Sequence, residues 1–403
     1  MTQLAINGGA QACSVVWPTW PMWDARERDG LLDALESGEW WYGKRVKQFE
    51  ADFAAFQDAR FGVTASSGTT ALETMLQALD IGPGDEVIVP PYTFIATASA
   101  VLRAGAIPVF ADIEADTWCL DPNDALRKIT PRTKAIMPVH FGGRIVDMDL
   151  YNEIGRRHNL LILEDACHSW GGKWKGKGTG ALGRCGAFSF QVSKNIASAE
   201  GGIILTDDEA LAEQCRSITN CGRIAGGAWY EHGNIGSNLR LTEFQAALLL
   251  AQLSRLEAHT LRRQANGAFL TKHLQGIPGV CVVREDPRIT RRAYHLYTLR
   301  IDPQALGITR GQFVAALAAE GVPASEGYTR PLYKMAVFQN LKRMRANPDI
   351  ALDYTQATCP VCERACDETV WLFHTLLLAD ESVMRDVVNA IEKVVSHAHE
   401  IPA

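Results

Sequence analysis

The segment Ala187-Phe188-Ser189-Phe190-Gln191-Val192-Ser193-Lys194-Asn195 runs from an apolar strand into a polar turn that presents a lysine. Glu200-Gly201-Gly202 follows, and its glycine pair lets the chain pass close to something. A lysine amine condenses with an aldehyde to a Schiff base, and a position just after a buried strand fixes it in place. Taken alone, Lys194 also reads as a solvated loop lysine. A second apolar run, Leu161-Ile162-Leu163-Glu164-Asp165-Ala166-Cys167-His168, delivers a carboxylate at its C-terminal end, where ligands of open α/β sheets bind. There Asp165 either holds the proton on a pyridine nitrogen, which keeps such a ring an electron sink, or it or Glu164 caps the next helix. The third piece is Ala65-Ser66-Ser67-Gly68-Thr69-Thr70-Ala71-Leu72. Small hydroxylated residues lead straight into a helix, whose free N–H groups bind phosphate; a plain Ser/Thr cap is the other reading. Phosphate cradle, ring-nitrogen carboxylate and Schiff-base lysine, in that chain order, predict an enzyme of pyridoxal 5'-phosphate.

These residues need a sheet to position them. From Phe61 to Thr206 short apolar runs alternate with helical patterns. The predicted strands are Glu86–Val89, Ile107–Asp112, Ala135–His140, Leu160–Asp165, Ala187–Phe190 and Gly202–Thr206. Leu72, Met75, Leu76 and Leu79 form one apolar stripe, and Gly82-Pro83-Gly84 stops that helix. Strands separated by helices predict an α/β fold with a largely parallel sheet covered on both faces. Leu241 to Leu274 reads as one or two long helices. Beyond Pro278 the expectation is a smaller α+β domain. It has strands Val280–Val283 and Tyr294–Ile301, a helix Gln312–Glu320, and a terminal helix with Met384, Val387, Val388, Ile391 and Val395 on one face. The expected division is an irregular segment 1–30, a large domain 31–256 and a small domain 257–403, with Trp17, Trp20 and Trp23 packing across the domains or onto a partner subunit.

The chain has 403 residues, 47% hydrophobic and 21% charged, with net charge -6. That is globular composition without the basic face of a duplex-binding protein. No targeting segment and no run of roughly 20 apolar residues is present, so a cytoplasmic protein with no membrane or nucleic-acid partner is expected. Ten cysteines are mostly scattered singly, as in a reduced compartment. Cys359-Pro360-Val361-Cys362, with Cys366, is either a redox or metal motif or a set of buried thiols. No second CxxC completes a zinc site, and no metal is expected.

The sequence resembles the DegT/StrS-type aminotransferases, which aminate keto-sugars and keto-cyclitols and have the fold of type I PLP transferases. The likeness runs from about Trp17 to Leu378. It is carried by Ser67-Gly68-Thr69-Thr70-Ala71-Leu72, Gly84-Asp85-Glu86-Val87-Ile88-Val89-Pro90, Pro138-Val139-His140, Glu164-Asp165-Ala166-Cys167-His168, Phe188-Ser189-Phe190 leading to Lys194, and Gly236-Ser237-Asn238-Leu239-Arg240-Leu241. The resemblance implies a large domain with a mostly parallel mixed sheet flanked by helices. It assigns Lys194 as the Schiff-base lysine, Asp165 as the ring-nitrogen carboxylate and His168 as a polar group near the phenolic oxygen. Phe94 is the stacking aromatic, and Gly68, Thr69 and Ser189 are phosphate contacts. Asn238 matches a residue that reaches the cofactor phosphate of the neighbouring subunit, implying a homodimer with shared sites; Arg240 and Tyr328 are candidate substrate residues. The implied reaction moves the amine of L-glutamine or L-glutamate to a ketone on a sugar or cyclitol, in secondary-metabolite or sugar biosynthesis.

Cys359 to Cys366 and Val370-Trp371-Leu372 look more like the cyclitol aminotransferases and aminohydroxybenzoate synthases than the nucleotide-sugar enzymes. An aromatising synthase and a non-catalytic PLP-binding regulator are therefore the alternatives. The Gly-rich stretch Ile224 to His232 matches nothing in the family pattern. His140 reads as a satisfied buried histidine. His295 or His374 is expected to face the substrate, and Arg330 and Tyr333 to stand near the pocket with Tyr328. Trp40-Trp41 beside Lys44-Arg45 reads as an aromatic pair next to solvated charges.

Overall fold

The computed structural model describes residues 3–402 save positions 225, 229 and 344–349. Its strands are β1 Phe61–Ala65, β2 Glu86–Val89, β3 Ile107–Phe110, β4 Thr133–Ile136, β5 Leu161–Asp165, β6 Lys173–Trp174, β7 Lys177–Gly178, β8 Cys185–Ser189, β9 Gly202–Thr206, β10 Val280–Val282, β11 Ile289–Arg291, β12 Leu296–Ile301 and β13 Thr369–Phe373. Seven of them form a mixed sheet in the order β1-β9-β8-β5-β4-β2-β3. Every neighbouring pair from β8 to β3 is parallel, and β9 alone runs against its neighbours β8 and β1. Strands β2, β8 and β9 are buried along their whole length, as strands covered on both faces must be.

Up to Leu274 the α-helices are α1 Ala25–Glu36, α2 Lys44–Phe56, α3 Gly68–Ala78, α4 Ala96–Arg103, α5 Pro122–Arg127, α6 Met148–His158, α7 Glu209–Thr219 and α8 Glu243–Leu274. Leu72, Met75 and Leu76 of α3 are buried against the sheet, as their spacing predicts. Helix α8 is one continuous helix. Its Leu249 and Leu256 belong to a core with Phe49, Phe188 and Phe190, while Leu270 and Leu274 belong to the core of the small domain. Beyond it come α9 Pro303–Leu306, α10 Arg310–Ala319, α11 Ala336–Gln339, α12 Pro360–Glu368 and α13 Glu381–Ser396. They accompany an antiparallel sheet β10-β12-β13. The terminal helix buries Met384, Val387, Val388 and Ile391, and Val395 packs partly against the same core.

The first thirty residues are not irregular throughout. Helix α1 starts at Ala25 because Asp24 and Glu27 form a reciprocal capping box. Upstream, Leu4 and Cys13 sit in the small-domain core. The buried Glu320 carboxylate accepts from the N–H groups of Ala5 (2.8 Å) and Ala12 (2.9 Å) and from Lys393 Nζ (2.9 Å). Lys393 also donates to the Ala10 carbonyl. Trp17 donates to the Gly321 carbonyl and Trp20 to that of Val192, whereas Trp23 is exposed. Among the described residues, no helix is long and apolar enough to cross a membrane.

Candidate active site

Sheet register alone gathers the chemistry at one edge. β5 and β8 are adjacent and parallel, with Asp165 opposite Ala187, so both strands end on the same side. β8 returns as β9 with Ser189 opposite Gly202, which makes the Lys194 turn the β8–β9 connection. Gly202 also lies opposite Ala65, the last residue of β1, and so brings the start of α3 to the same place. A Cβ on Gly202 would sit 2.3 Å from the Ser67 carbonyl oxygen. What the glycine pair approaches is therefore the backbone of the phosphate-binding turn.

A cavity of about 470 Å³ opens there. Of the residues predicted from sequence, Gly68, Thr69, Phe94, Asp165, His168, Ser189, Lys194 and Tyr328 all line it. Ser67 caps α3: its hydroxyl accepts from Thr70 N–H while Thr70 Oγ1 accepts from Ser67 N–H, a pairing worth about 1 kcal/mol. The N–H groups of Gly68 and Thr69, which no helical carbonyl reaches, border the cavity. A Cβ on Gly68 would stand 2.6 Å from Ser189 Cβ, so α3 can begin this close to the end of β8 only because that position is glycine.

Asp165 is buried yet has no cationic partner among the described residues. Its Oδ2 accepts from Thr97 Oγ1 at 2.7 Å and its Oδ1 from Cys167 N–H at 3.2 Å. A buried carboxylate held by two neutral donors at a cavity wall suits a cationic ring nitrogen placed opposite it. Lys194 Nζ lies 5.8 Å from the centre of the Trp170 ring. Burial pulls its pKa below the ordinary lysine value, against the opposing influence of Cys167 and Asp165. The Cys167 thiol is pushed well up by burial and by Asp165, so it is no nucleophile here. His168 Nδ1 accepts from Gly142 N–H at 3.3 Å, which places the ring proton on Nε2. Burial and the Lys194 charge hold this imidazole far below its usual pKa, hence neutral. Tyr328 packs edge-on against Trp371 at 4.7 Å, and Phe94, Trp371 and Phe373 complete an aromatic wall. Burial, with Asp165 nearby, raises the Tyr328 phenol, so it stays protonated.

Asn238 and Arg240 do not line this cavity. Asn238 is exposed, and Arg240 donates to Asn220 Oδ1 with its guanidinium 4.9 Å from the Trp41 ring. His140 is satisfied internally, with Nε2 3.0 Å from Glu164 and Nδ1 accepting from Val146 N–H. Glu164 accepts three further N–H groups, from Gly180, Leu182 and Gly183, and is structural. Tyr333 is buried against Glu363 and Arg330 is exposed; neither reaches the cavity. Arg45 is buried between Asp33 and Glu243 rather than solvated. Cys359, Cys362 and Cys366 are buried thiols, and Asp112 accepts from the Val361 and Cys362 N–H groups at that helix start. No metal-binding cluster occurs among the described residues. Of the stretch 224–232, positions 225 and 229 lie outside the described residues. Sequence reasoning missed Thr97, which no local pattern ties to Asp165, and left His295, which does line the cavity, undecided.

A helix start at the cavity, a buried carboxylate without a cationic partner among the described residues and a buried lysine, gathered at one sheet edge, suit pyridoxal phosphate. The chain belongs to the DegT/DnrJ/EryC1/StrS aminotransferase family, whose model matches residues 21–392. It is 37% identical to the 3-amino-5-hydroxybenzoate synthase of Amycolatopsis mediterranei, over 95% of this chain and 98% of that one. It is also 37% identical to the L-glutamine:2-deoxy-scyllo-inosose aminotransferase of Micromonospora echinospora, with both chains covered in full. The crystal structure of 3-amino-5-hydroxybenzoic acid synthase superposes with a TM-score of 0.86 at 36% identity, covering 95% of this chain and 99% of that one. The protein is thus an aminotransferase with the fold of type I PLP enzymes, and pyridoxal phosphate is its cofactor.

Proposed function

We propose that this enzyme transfers the amine of L-glutamine or L-glutamate to the ketone of a keto-cyclitol, with Lys194 as the attachment point of the cofactor and Asp165 as the partner of its ring nitrogen. Gly68, Thr69 and Ser189 would hold the phosphate, Phe94 would cover the ring, and His168, with its proton on Nε2, would be the polar group near the phenolic oxygen. Bound there, pyridoxal phosphate supplies an electron sink for the carbanion left when a proton departs from the amine-bearing carbon. Lys194, whose pKa burial lowers, is the group that would take that proton as a base. Tyr328 and Trp371 exclude water and orient the acceptor.

The observation that carries the choice of acceptor is the lining itself. Its charged groups are Asp165, Lys194 and Glu200, beside an aromatic wall. That suits an uncharged hydroxylated ring more than a nucleotide diphosphate, which needs cations. Asn238 is exposed and lies outside this cavity, and its match to a residue that reaches the neighbouring subunit's cofactor supports a homodimer with shared sites as the working unit. A panel of keto-cyclitols and nucleotide keto-sugars, each with L-glutamine and L-glutamate, tests the reading. Amination of a keto-cyclitol supports it, and turnover of nucleotide keto-sugars alone refutes it. The likeness to 3-amino-5-hydroxybenzoate synthase supports a second reading, an aromatising synthase. Release of an aromatic amine from a cyclic aminoshikimate-type precursor would establish it.

A further inference from the structure

We propose that His295 and His374 are positioning residues for Lys194: two rings from the end of the small-domain sheet that clamp the residues on either side of the lysine. The inference rests on Lys194 being the cofactor's attachment point. β12 and β13 pair with Leu296 opposite Phe373, and the next backbone bond, His374 N–H to the His295 carbonyl, sets the two histidines side by side. Their rings lie 5.6 Å apart and are nearly parallel, at 23°. His295 in turn rests 4.4 Å from the ring of His168. A column of three imidazoles therefore runs from the cofactor cavity to the small domain.

Each ring's donor is fixed by its partners. Asn195 uses its amide N–H on the Ala293 carbonyl, so its Oδ1 accepts from His295 Nδ1–H at 3.0 Å. The fully buried Arg263, which can only donate, gives Nη2–H to His374 Nδ1 at 3.1 Å and Nε–H to the His374 carbonyl. The His374 proton is thereby confined to Nε2, which donates to the Ser193 carbonyl at 3.0 Å. Trp20 stands edge-on to His374 at 4.7 Å and donates to the Val192 carbonyl. Val192, Ser193 and Asn195 are thus all tied down around Lys194, whose own N–H donates to the Gln191 carbonyl. Burial keeps both imidazoles neutral, so each is a single-tautomer donor.

The geometry dictates the test. Asn places an amide N–H where His295 has Nδ1, and Gln places one where His374 has Nε2. The pair His295→Asn with His374→Gln therefore keeps both donors, whereas the swapped pair, His295→Gln with His374→Asn, misplaces both at identical composition. A third variant, with Phe at both positions, keeps ring packing without donors. Holoenzyme is stripped of cofactor, reloaded with pyridoxal phosphate and quenched with borohydride, and the rate of labelling at Lys194 is mapped by peptide. The pH midpoint of the visible band is read alongside. The matched pair should label within about threefold of wild type, and the swapped and Phe pairs about tenfold slower or more, one to two hydrogen bonds' worth. Their visible-band midpoints should also shift, and that of the matched pair should not. Equal labelling by the matched and swapped pairs overturns the proposal, and that comparison decides alone if the Phe variant does not fold. Label on another lysine in wild type would remove the Lys194 reading itself, and is seen before any variant is made.

Discussion

Acidification probes the histidine column as a whole. In the folded chain burial holds His168, His295 and His374 well below the ordinary value of 6.5. In the unfolded chain they titrate near it. Their folded pKa values are lowered, so the unfolded state binds more protons; their contribution is complete above about pH 6.5 and is lost as pH falls toward the folded values. At about pH 5.5 each ring that titrates only on unfolding costs RT ln(1 + 10), about 1.4 kcal/mol, so His295 and His374 together cost about 2.8 kcal/mol. That is a large share of a total stability of roughly 5–15 kcal/mol. His168 behaves alike, but it borders the cavity, where bound cofactor changes its surroundings. The double variant His295→Asn with His374→Gln removes two titrating rings and keeps the hydrogen bonds that they donate to Asn195 and Ser193. Guanidinium unfolding at about pH 8 and about pH 5.5, at fixed protein and cofactor concentrations, should show the variant losing about 2.8 kcal/mol less than wild type. Equal acid losses would refute the argument from buried neutral histidines.

Two further outcomes test the site. Asp165→Asn should still take up pyridoxal phosphate, since the phosphate cradle and Lys194 are intact, yet turn over at least ~100-fold more slowly, the scale of a positioned charge; near-normal turnover removes Asp165 from the ring nitrogen. Mixing Lys194→Ala with Asn238→Ala subunits at limiting cofactor should restore activity above either parent, because one site of the mixed dimer is then intact; no restoration means that each site is built from one chain.

The parts of the fold legible in sequence were those with local period. β2 and β9 have the bounds that their apolar runs predict, whereas β4 is Thr133–Ile136 rather than Ala135–His140 and β8 is Cys185–Ser189 rather than Ala187–Phe190, the runs continuing into turns. β1, Phe61-Gly62-Val63-Thr64-Ala65, carries too little apolar signal to stand out and is a strand because β9 pairs with it. β13 escaped for a related reason: it is held by β12 some seventy residues away. The capping box at Asp24 and Glu27 was readable, and it places a helix where irregular chain was expected. Lys194, Asp165 and the α3 start were expected together because each ends or follows a strand, and they do line one cavity. Thr97 and the histidine clamp were not, since their bonds to residues 68 to 181 positions away follow from register, not periodicity.

The anchoring of residues 4–13 on Glu320 and Lys393 separates the order of synthesis from the order of assembly. Lys393 follows its Ala10 partner by 383 positions, which at roughly 5–20 residues per second is tens of seconds. The opening segment therefore leaves the ribosome long before its binding surface exists, while the seven-stranded sheet, complete by Thr206, has its partners at hand. Closing of that segment over the small domain is a late step. Trp20, edge-on to His374 and bonded to the Val192 carbonyl, then connects it to the lysine turn, so a segment made early is among the last to tighten the active site.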